Sequence, residues 1–431
     1  MEKSYVKRAD ECLRFIEKSV SCYHAIENAK IMLKENGFKE LTERENWLLY
    51  QGRGYFVTRN DSSLIAFYLP EKEIKGFHIA ASHSDSPSFK VKTDAEISVE
   101  NSYKKLNVEP YGGMIHATWL DRCLSVAGRV VYQEEGQFKS AVVNVDEDLL
   151  VVPNVAIHMN REMNKNLSYN PQVDLQPLLC AEPEKEQKEQ EHILLKKIAS
   201  TAGIKEEILG QDLYLYVREK GRLAGADKEL MVSPRLDDLA CVYASLKGFL
   251  NAEPEEYISV CAVFDNEEVG SHTRQGAAST FLKDTMERIG ESLGKAGSDY
   301  LRLLADSFMI SADNAHALHP NHPEKSDPGN RPVLNGGVVI KHHGGQKYTT
   351  DAYSEAVMKA LCKEAGVPYQ DYHNRSDIAG GSTLGNISAG QVSISAVDIG
   401  LAQLAMHSAV ETAGSRDVEY LVRVLEKFYE K

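Results

Sequence analysis

An apolar run that ends in three carboxylates is the feature that most constrains the fold of this chain. Residues 258–264 read ISVCAVF, and residues 264–271 continue as FDNEEVGS. A short apolar run of this kind is typical of a strand that is buried on both faces of a parallel sheet. Asp265, Glu267 and Glu268 follow at its carboxyl end, where adjacent buried carboxylates would repel one another and protonate. We therefore expect a divalent cation at this end of the strand.

The regions on either side of residues 95–230 alternate between helical patterns and apolar strands. Helical periodicity covers residues 8–36, and helices alternate with strands again from RLDDLACVYASLKGFL onward. This alternation predicts an α/β fold with a mixed, largely parallel sheet flanked by helices. Residues 95–230 instead contain short strand-like pieces such as RVVYQ and KSAVVNV. We predict one α/β domain from residues 1–92 and 231–431, with an inserted β-rich domain at residues 93–230.

Composition excludes several classes of partner. The 431 residues carry a formal net charge of −14, and no block of Lys or Arg offsets it, so nucleic acid and anionic membranes are not expected to bind. There is no apolar stretch of about 18 residues, and the first residues lack the apolar core of a secretory signal. The seven cysteines are scattered without a C-x-x-C pair, which is typical of reduced thiols. These features predict a cytoplasmic protein that acts on small molecules or peptides.

Side chains that could bind a metal follow several of the predicted strands. In an open α/β sheet the carboxyl ends of parallel strands meet at one edge, where loops gather ligands. Two further segments place such residues at or near the start of a helix. The candidates from these five segments are His83, Asp85, Asp237, Asp238, Asp265, Glu267, Glu268, Asp313, His316 and His407.

The residue types in this set favour a borderline divalent cation. Imidazole and carboxylate without thiolate suit zinc, manganese or cobalt, and a carboxylate can bridge two cations about 3.5–4 Å apart. If Glu267 and Glu268 lie in extended backbone they point in opposite directions, so one could bind metal while the other acts as a base. Each segment taken alone also fits an ordinary role, such as a helix cap for Asp237 and Asp238 or a buried helical imidazole for His407.

The whole chain resembles the aspartyl aminopeptidase family, whose members are cytoplasmic dinuclear-zinc exopeptidases. The matching segments occur in one order along the sequence: SHSDSPSFKVK (82–92), YGG (111–113), WLDR (119–122), VPNVAIH (152–158), SPRLDDLACVY (233–243), DNEEVGS with QGA (265–277), SADNAHALHPNH (311–322), GSTLG (381–385) and MHSAVE (406–411).

The resemblance implies a role for each candidate and two Zn²⁺ ions per subunit, with Co²⁺ or Mn²⁺ as alternatives. It implies Glu267 as the general base and Asp85 as the carboxylate that orients the imidazole of the first ligand. The implied ligands are His83 and Asp313 for the first zinc, Asp237 between the two ions, and Glu268 and His407 for the second zinc.

The resemblance further implies hydrolysis of N-terminal residues, Asp or Glu, from peptides. It implies a homo-oligomer, a tetrahedral dodecamer, in which the inserted domain mediates dimerisation or acts as a lid. His158 and His319 are candidate functional histidines outside the ligand set. Lys341, Lys347 and Tyr348 lie in the region where a pocket for an acidic side chain is expected, although surface lysine is the alternative for both cations.

Other functions stay open at this point. The sequence HHGG at 342–345 does not match the family pattern, so an aminopeptidase of neutral or hydrophobic preference is an alternative. A deacylase or dipeptidase could use the same metal chemistry with a well-placed arginine, for which Arg235 and Arg375 are candidates. A non-catalytic scaffold on this fold is the remaining alternative, and the intact Glu267 argues against it.

Overall fold

The computed structural model describes residues 2–100, 102–165, 167–181 and 192–431. These residues form two compact units. The first contains the described residues within the bounds Met1–Asp85, Gly221–Met406 and Glu411–Lys431, and the second contains those within Ser86–Lys220 and His407–Val410.

The helices and strands of the described residues are numbered here along the chain. The helices are α1 Glu2–Lys18, α2 Cys22–Glu35, α3 Pro171–Asp174, α4 Ile193–Ala202, α5 Leu236–Asn251, α6 Phe281–Ser292, α7 Ser298–Ala305, α8 Ala352–Ala365, α9 Leu384–Val392 and α10 Asp417–Tyr429. The strands are β1 Lys39–Leu41, β2 Arg53–Arg59, β3 Ser63–Leu69, β4 Gly76–His83, β5 Ser88–Val99, β6 Tyr103–Tyr111, β7 Leu124–Glu134, β8 Gln137–Asn144, β9 Leu178–Cys180, β10 Ile208–Val217, β11 Arg222–Ala224, β12 Leu230–Ser233, β13 Tyr257–Phe264, β14 Phe308–Ala312, β15 Ala315–His316, β16 Val338–His342, β17 Tyr369–His373, β18 Ser395–Gly400, β19 Ala402–Leu404 and β20 Glu411–Gly414.

A mixed sheet forms the centre of the first unit. Over the described residues its strand order is β1-β2-β3-β13-β4-β14-β18-β16-β17. Strands β13, β4, β14 and β18 are parallel to one another, whereas β3 runs antiparallel to β13 and β16 antiparallel to β18. The predicted fold class, a mixed and largely parallel sheet with flanking helices, is confirmed. The apolar run at 258–264 is an inner strand of this sheet, as its continuous burial requires.

Alternate residues of the inner strands contribute to cores on opposite faces of the sheet. On β14, Ile310 belongs to one core together with residues of α1, α2, α5, α8 and α10, whereas Met309 belongs to the other with residues of α6. This division follows from the two-residue period of a strand, and it explains why the strand sequences are apolar throughout rather than alternating. A smaller sheet in the same unit has the order β11-β12-β20-β19-β15.

The second unit is built on an antiparallel sheet. Its strand order is β8-β7-β10-β5-β6-β9, and its core includes Phe89, Trp119, Val130 and Leu213. The observed unit boundaries differ by several residues from the predicted bounds at 93 and 230. The sequence-based division also left residues 407–410 in the α/β domain, because four residues far along the chain carry no composition signal of their own.

No helix in the described ranges is long and apolar enough to cross a membrane.

The C-terminal helix is tied to the central strands by one buried hydroxyl. The hydroxyl of Tyr429 donates to the Val260 carbonyl of β13 at 2.8 Å and accepts from the Ala80 amide of β4 at 3.2 Å. Tyr429→Phe keeps the ring but leaves both buried groups without this partner, so we expect the free energy of unfolding to fall by about 1–3 kcal/mol. Equilibrium urea unfolding measures this, with the exposed Tyr353→Phe as the control. Equal stability of the two variants would contradict the role assigned to the hydroxyl.

Candidate metal centre

Three neighbouring strands of the large sheet end at the same edge and deliver the predicted residues there. His83 is the last residue of β4, and it pairs in register with Phe264, the last residue of β13. Asp313 follows directly after β14, on the other side of β4. Asp85 lies two residues beyond His83. The rule that ligands gather at the carboxyl ends of parallel strands therefore applies to this sheet.

The side chains at this edge lie within coordination distance of one another. The Nε2 atom of His83 is 3.6 Å from Oδ1 of Asp237 and 3.8 Å from Oδ1 of Asp313. Candidate ligand atoms of His83, Asp237, Asp238 and Asp313, all of them buried, lie within 4.8 Å of one another. Glu267 and Glu268 form an overlapping group with His83 by the same measure. We call these six residues the metal centre.

Asp85 fixes both the imidazole and the loop that follows β13. Its Oδ1 is 3.3 Å from Nδ1 of His83, and its two carboxylate oxygens accept hydrogen bonds from the amides of Glu267 and Glu268, each at 3.1 Å. The ring of His83 is therefore held with Nε2 toward Asp237 and Asp313. This is the arrangement in which a carboxylate sets the orientation of a metal-binding histidine.

The prediction of extended backbone at Glu267 and Glu268 is wrong. The sequence suggested extended backbone, in which the two side chains point in opposite directions. Instead Asn266 has a φ of 62° and the residues Glu267–Val269 form a turn of 3-10 helix. The hydrogen bonds from both amides to Asp85 stabilise this turn, and such a contact between distant segments leaves no signal in local sequence.

Four residues that sequence reasoning did not assign to the ligand set form a chain of hydrogen bonds and close contacts beside the metal centre. The amide of Asp237 donates to Oε2 of Glu411 at 3.0 Å, and Nε2 of Gln403 lies 3.5 Å from Oδ2 of Asp237. Oε1 of Gln403 accepts a hydrogen bond from Asn314 at 2.8 Å. The chain of contacts continues through the carbonyl of Asn314, which accepts from Lys341. Glu411 was within reach of sequence reasoning, because it ends the quoted segment MHSAVE.

Lys341 is buried, which corrects the alternative of a surface lysine. Its ammonium is 3.4 Å from Oδ2 of Asp313 and 5.3 Å from the centre of the Tyr348 ring. Tyr348 is also buried, and Lys347 donates to the carbonyls of Ala379 and Gly380 at 3.1 and 2.9 Å. Lys341 therefore acts on the metal centre through Asp313.

The raised pKa values of the buried carboxyl groups indicate that a bound cation is needed to keep these groups ionised together. Burial, followed by the neighbouring carboxylates, raises the pKa of Glu267 to about 8 and holds the pKa of Glu268 well above its usual range. Burial, with Asp85 beside it, also raises the pKa of Asp265 to about 7. Burial opposes ionisation of Asp313 as well, but Lys341 and His83 lower its pKa to about 2. One imidazole among buried carboxylates, without thiolate, is a donor set that fits zinc.

Two of the predicted residues lie in the second unit. His158 is exposed in a loop, and Nδ1 of His407 lies 2.6 Å from the carbonyl oxygen of Gly113. The roles predicted for these two histidines rest on the sequence resemblance.

A cavity of about 420 Å³ in the first unit is lined in part by Gln403, which lies beside Asp237 of the metal centre. No aspartate or glutamate of the described residues lines it. The basic and imidazole side chains in its wall are His316, His319, His322, Lys325, His373 and Arg375. Because Gln403 also lies beside Asp237, the cavity begins next to the candidate ligands.

Comparison with known proteins agrees with this site. Residues 15–429 match the family model described as aminopeptidase I zinc metalloprotease, M18. The chain is 46% identical to a probable M18 family aminopeptidase 2 of Clostridium acetobutylicum, over 99% of both chains. It is 38% identical to a protein of the same description from Ectopseudomonas mendocina, over 97% of this chain and 96% of that one.

Solved structures share the fold over the whole chain. A cryo-EM structure of the Ape4 and Nbr1 complex superposes with a TM-score of 0.95 at 35% identity, covering 100% of this chain and 86% of that chain. The S. cerevisiae mApe1 dodecamer superposes with a TM-score of 0.85 at 29% identity, covering 99% of this chain and 97% of that chain.

In the metal-free protein, the free energy of unfolding should fall as the pH rises. Between pH 6.5 and 8 the unfolded carboxyl groups are ionised, whereas Glu267 and Asp265, with folded pKa values of about 8 and 7, still hold protons. The folded state then binds more protons than the unfolded state, so the metal-free protein loses stability across this interval. The buried His24 and His78 act in the opposite direction at the lower end of this interval, because their folded pKa values fall to about 4 while their unfolded imidazoles titrate near 6.5, so the loss of stability is clearest above about pH 7.

Urea unfolding of chelator-treated protein at several pH values measures this slope. Zinc-loaded protein should show a smaller slope, and metal-free Glu267→Gln should show a reduced one because one titrating group is gone. A metal-free protein that gains stability from pH 6.5 to 8 would contradict the electrostatic account.

Proposed function

The chain belongs to the M18 family of aminopeptidase I zinc metalloproteases, and from this premise we propose that it removes acidic N-terminal residues from peptides by a two-metal mechanism. The observation that carries the proposal is the convergence of His83, Asp237, Asp313 and Glu267 at one edge of the sheet. Convergence of imidazole, carboxylate ligands and a spare carboxylate is the arrangement needed for metal-assisted hydrolysis.

The chain offers ligands for two zinc ions. We assign His83 and Asp313 to the first ion, Asp237 to both, and Glu268 with His407 to the second, the last by resemblance. When bound, zinc supplies Lewis acidity that polarises the scissile carbonyl and lowers the pKa of water. The residues behind the ligands keep them in place, since Glu411 holds the backbone at Asp237 and Lys341 keeps Asp313 ionised.

Glu267 is the proposed general base. It takes a proton from the attacking water at its carboxylate and returns it to the leaving amine. Two features support this role: its amide is fixed by Asp85, and its side chain lies in the group that contains His83. Burial and nearby negative charge raise its pKa to about 8 in the metal-free protein, and a bound cation would lower this pKa and leave the carboxylate ionised to accept the proton.

The cationic cavity beside Asp237 supports a preference for Asp or Glu at the substrate N-terminus. In a protein of net charge −14, this wall has no carboxylate of its own among the described residues, and it keeps Lys325 as a cation although Arg375 pairs with Asp377 and His322 with Glu324, so it would favour an anionic side chain. His319, predicted as a functional histidine, lies in this wall. Lys347 and Tyr348 stay proposed pocket residues because they lie in the same segment of the sequence as Lys341.

We further propose a homo-oligomer of the dodecameric kind, located in the cytoplasm. The loop that carries His158 exposes the apolar side chains of Val155, Ile157 and Met159. Contiguous exposed apolar side chains are typical of surfaces that bind another protein. A contact of this loop with a second copy would bring His158 to the neighbouring subunit.

Glu267→Gln tests the base directly. The amide retains the shape of the side chain but cannot accept the proton, so we expect kcat to fall by about 10²–10⁴-fold on an aspartyl anilide while the zinc content stays unchanged. The control is Glu256→Gln, because Glu256 is a partly exposed partner of Lys75. Metal analysis and steady-state kinetics on both variants decide the point. A Glu267→Gln variant with more than a tenth of the wild-type kcat would contradict the assignment.

The substrate preference has its own test. With anilides of Asp, Glu, Leu and Lys and with N-acetyl-Asp anilide, we expect Asp and Glu to give the highest kcat/KM and the acetylated substrate to be inert. Lys325→Gln should lower kcat/KM for the Asp substrate by about two- to fivefold and leave the Leu substrate unchanged, as for loss of one partly exposed ion pair. A higher kcat/KM with the Leu anilide than with the Asp anilide would instead indicate an aminopeptidase of neutral preference. Cleavage of the acetylated substrate would indicate a deacylase.

A further inference from the structure

We propose that His342, Glu355 and Asp371 form a second type of metal site, one that binds a single divalent transition-metal ion such as Zn²⁺ at the edge of the large sheet. We call these three residues the edge cluster. One candidate ligand atom from each lies within 4.8 Å of the others. His342 opens the HHGG segment, which the proposed peptidase function does not use.

The edge cluster forms because β16 and β17, the last two strands in the order of the large sheet, present side chains on the face that α8 covers. Strand β16 pairs in parallel with β17, with His342 opposite His373 and Ile340 opposite Asp371. Residues 338, 340 and 342 share one face, and Val338 and Ile340 belong to the core that contains Met358 of α8. Glu355 lies one turn before Met358 on the same helix. Two strands and one helix thus each supply one ligand.

The edge cluster is separated from the metal centre by the sheet itself. Lys341, which contacts Asp313, is the residue before His342, and neighbouring residues on a strand point to opposite faces. Val339 and Tyr348 belong to the core on the face of Lys341. An ion in the edge cluster would therefore be independent of the ions proposed for hydrolysis.

The distance between imidazole and carboxylate suits a shared cation. Nε2 of His342 is 3.4 Å from Oδ1 of Asp371. A strong N–H···O hydrogen bond is shorter, at about 2.7–3.2 Å, and Oδ1 of Asp371 is hidden from solvent without a hydrogen-bond partner among the described residues. Two ligands bound tetrahedrally to zinc with bonds of about 2.0–2.1 Å lie about 3.3 Å apart. The observed pair is already at that separation.

Lys359 forms ion pairs with both carboxylates of the edge cluster. Nζ of Lys359 lies 2.5 Å from Oε1 of Glu355 and 3.1 Å from Oδ2 of Asp371, so Oδ1 of Asp371 remains for the metal. The ammonium pairs with both carboxylates and therefore competes with the metal for them. It lies 5.5 Å from the centre of the Tyr369 ring, which can retain it when the metal takes Glu355.

The ring of His342 is also prepared for binding. It stacks on His373 with ring centres 4.8 Å apart and an interplanar angle of 5°. The stack restricts rotation of His342 and lowers the entropy lost when its Nε2 atom binds an ion. One imidazole and two carboxylates select zinc, cobalt, nickel or manganese over magnesium or calcium.

Metal stoichiometry tests the proposal. Wild-type protein and the His342→Gln and Asp371→Asn variants are dialysed against buffered Zn²⁺ concentrations, and the zinc per chain is measured by mass spectrometry. We expect the wild type to bind one equivalent more than either variant. The matched control is His343→Gln, because His343 neighbours His342 in sequence but contacts the amide of Gly345 and the carbonyl of Ala379 instead. It should bind as the wild type does.

A gain-of-affinity variant keeps the test independent of damage to folding. Lys359→Met removes the competing ammonium, so we expect the extra equivalent to bind about three- to tenfold more tightly. Equal zinc content in wild type and His342→Gln, or weaker binding in Lys359→Met, would overturn the proposal. Peptidase activity should be the same in His342→Gln and wild type, so failure of the edge site and failure of the proposed function give different results.

Discussion

Mutual repulsion of buried carboxylates at one sheet edge is the constraint on which the rest of this structure depends. Four backbone elements bring acidic side chains to a volume from which water is largely excluded, and burial raises the pKa of several of them. The protein offsets part of this repulsion with three kinds of contact. Backbone amides donate to Asp85, the ammonium of Lys341 lies beside Asp313, and the imidazole of His83 lies beside Asp237. The remaining negative charge is the driving force for binding divalent cations.

The offsetting contacts also explain the local backbone. The turn after β13 brings two successive amides to one carboxylate, so the loop that carries the proposed base is fixed by the same residue that orients His83. A change at Asp85 would therefore disturb the base and the imidazole together. Apparent roles of Asp85 and Glu267 in catalysis would not be additive, because the two residues act as one unit.

Sequence reasoning predicted the parts of the site that follow from strand periodicity. His83 and Asp313 were found because each comes at the end of an apolar run, and the sheet order places those ends side by side. It did not find the position of Lys341, since a lysine inside an apolar strand has the same local pattern whether its ammonium reaches solvent or a buried aspartate. Gln403 and Asn314 were missed for a related reason: their hydrogen bonds join segments 89 residues apart. Such contacts depend on tertiary packing, which leaves no periodic signal.

The two-residue period of β16 has a consequence for function as well as for folding. Lys341 extends to one face of the sheet, where it neutralises part of the metal centre, and His342 extends to the other, where its ring meets Asp371. A shift of the strand by one residue would exchange these two side chains and lose both arrangements at once. The pairing of β16 with β17 and β18 fixes that register, so a strand that supplies no ligand to the metal centre still determines whether an ammonium lies beside Asp313.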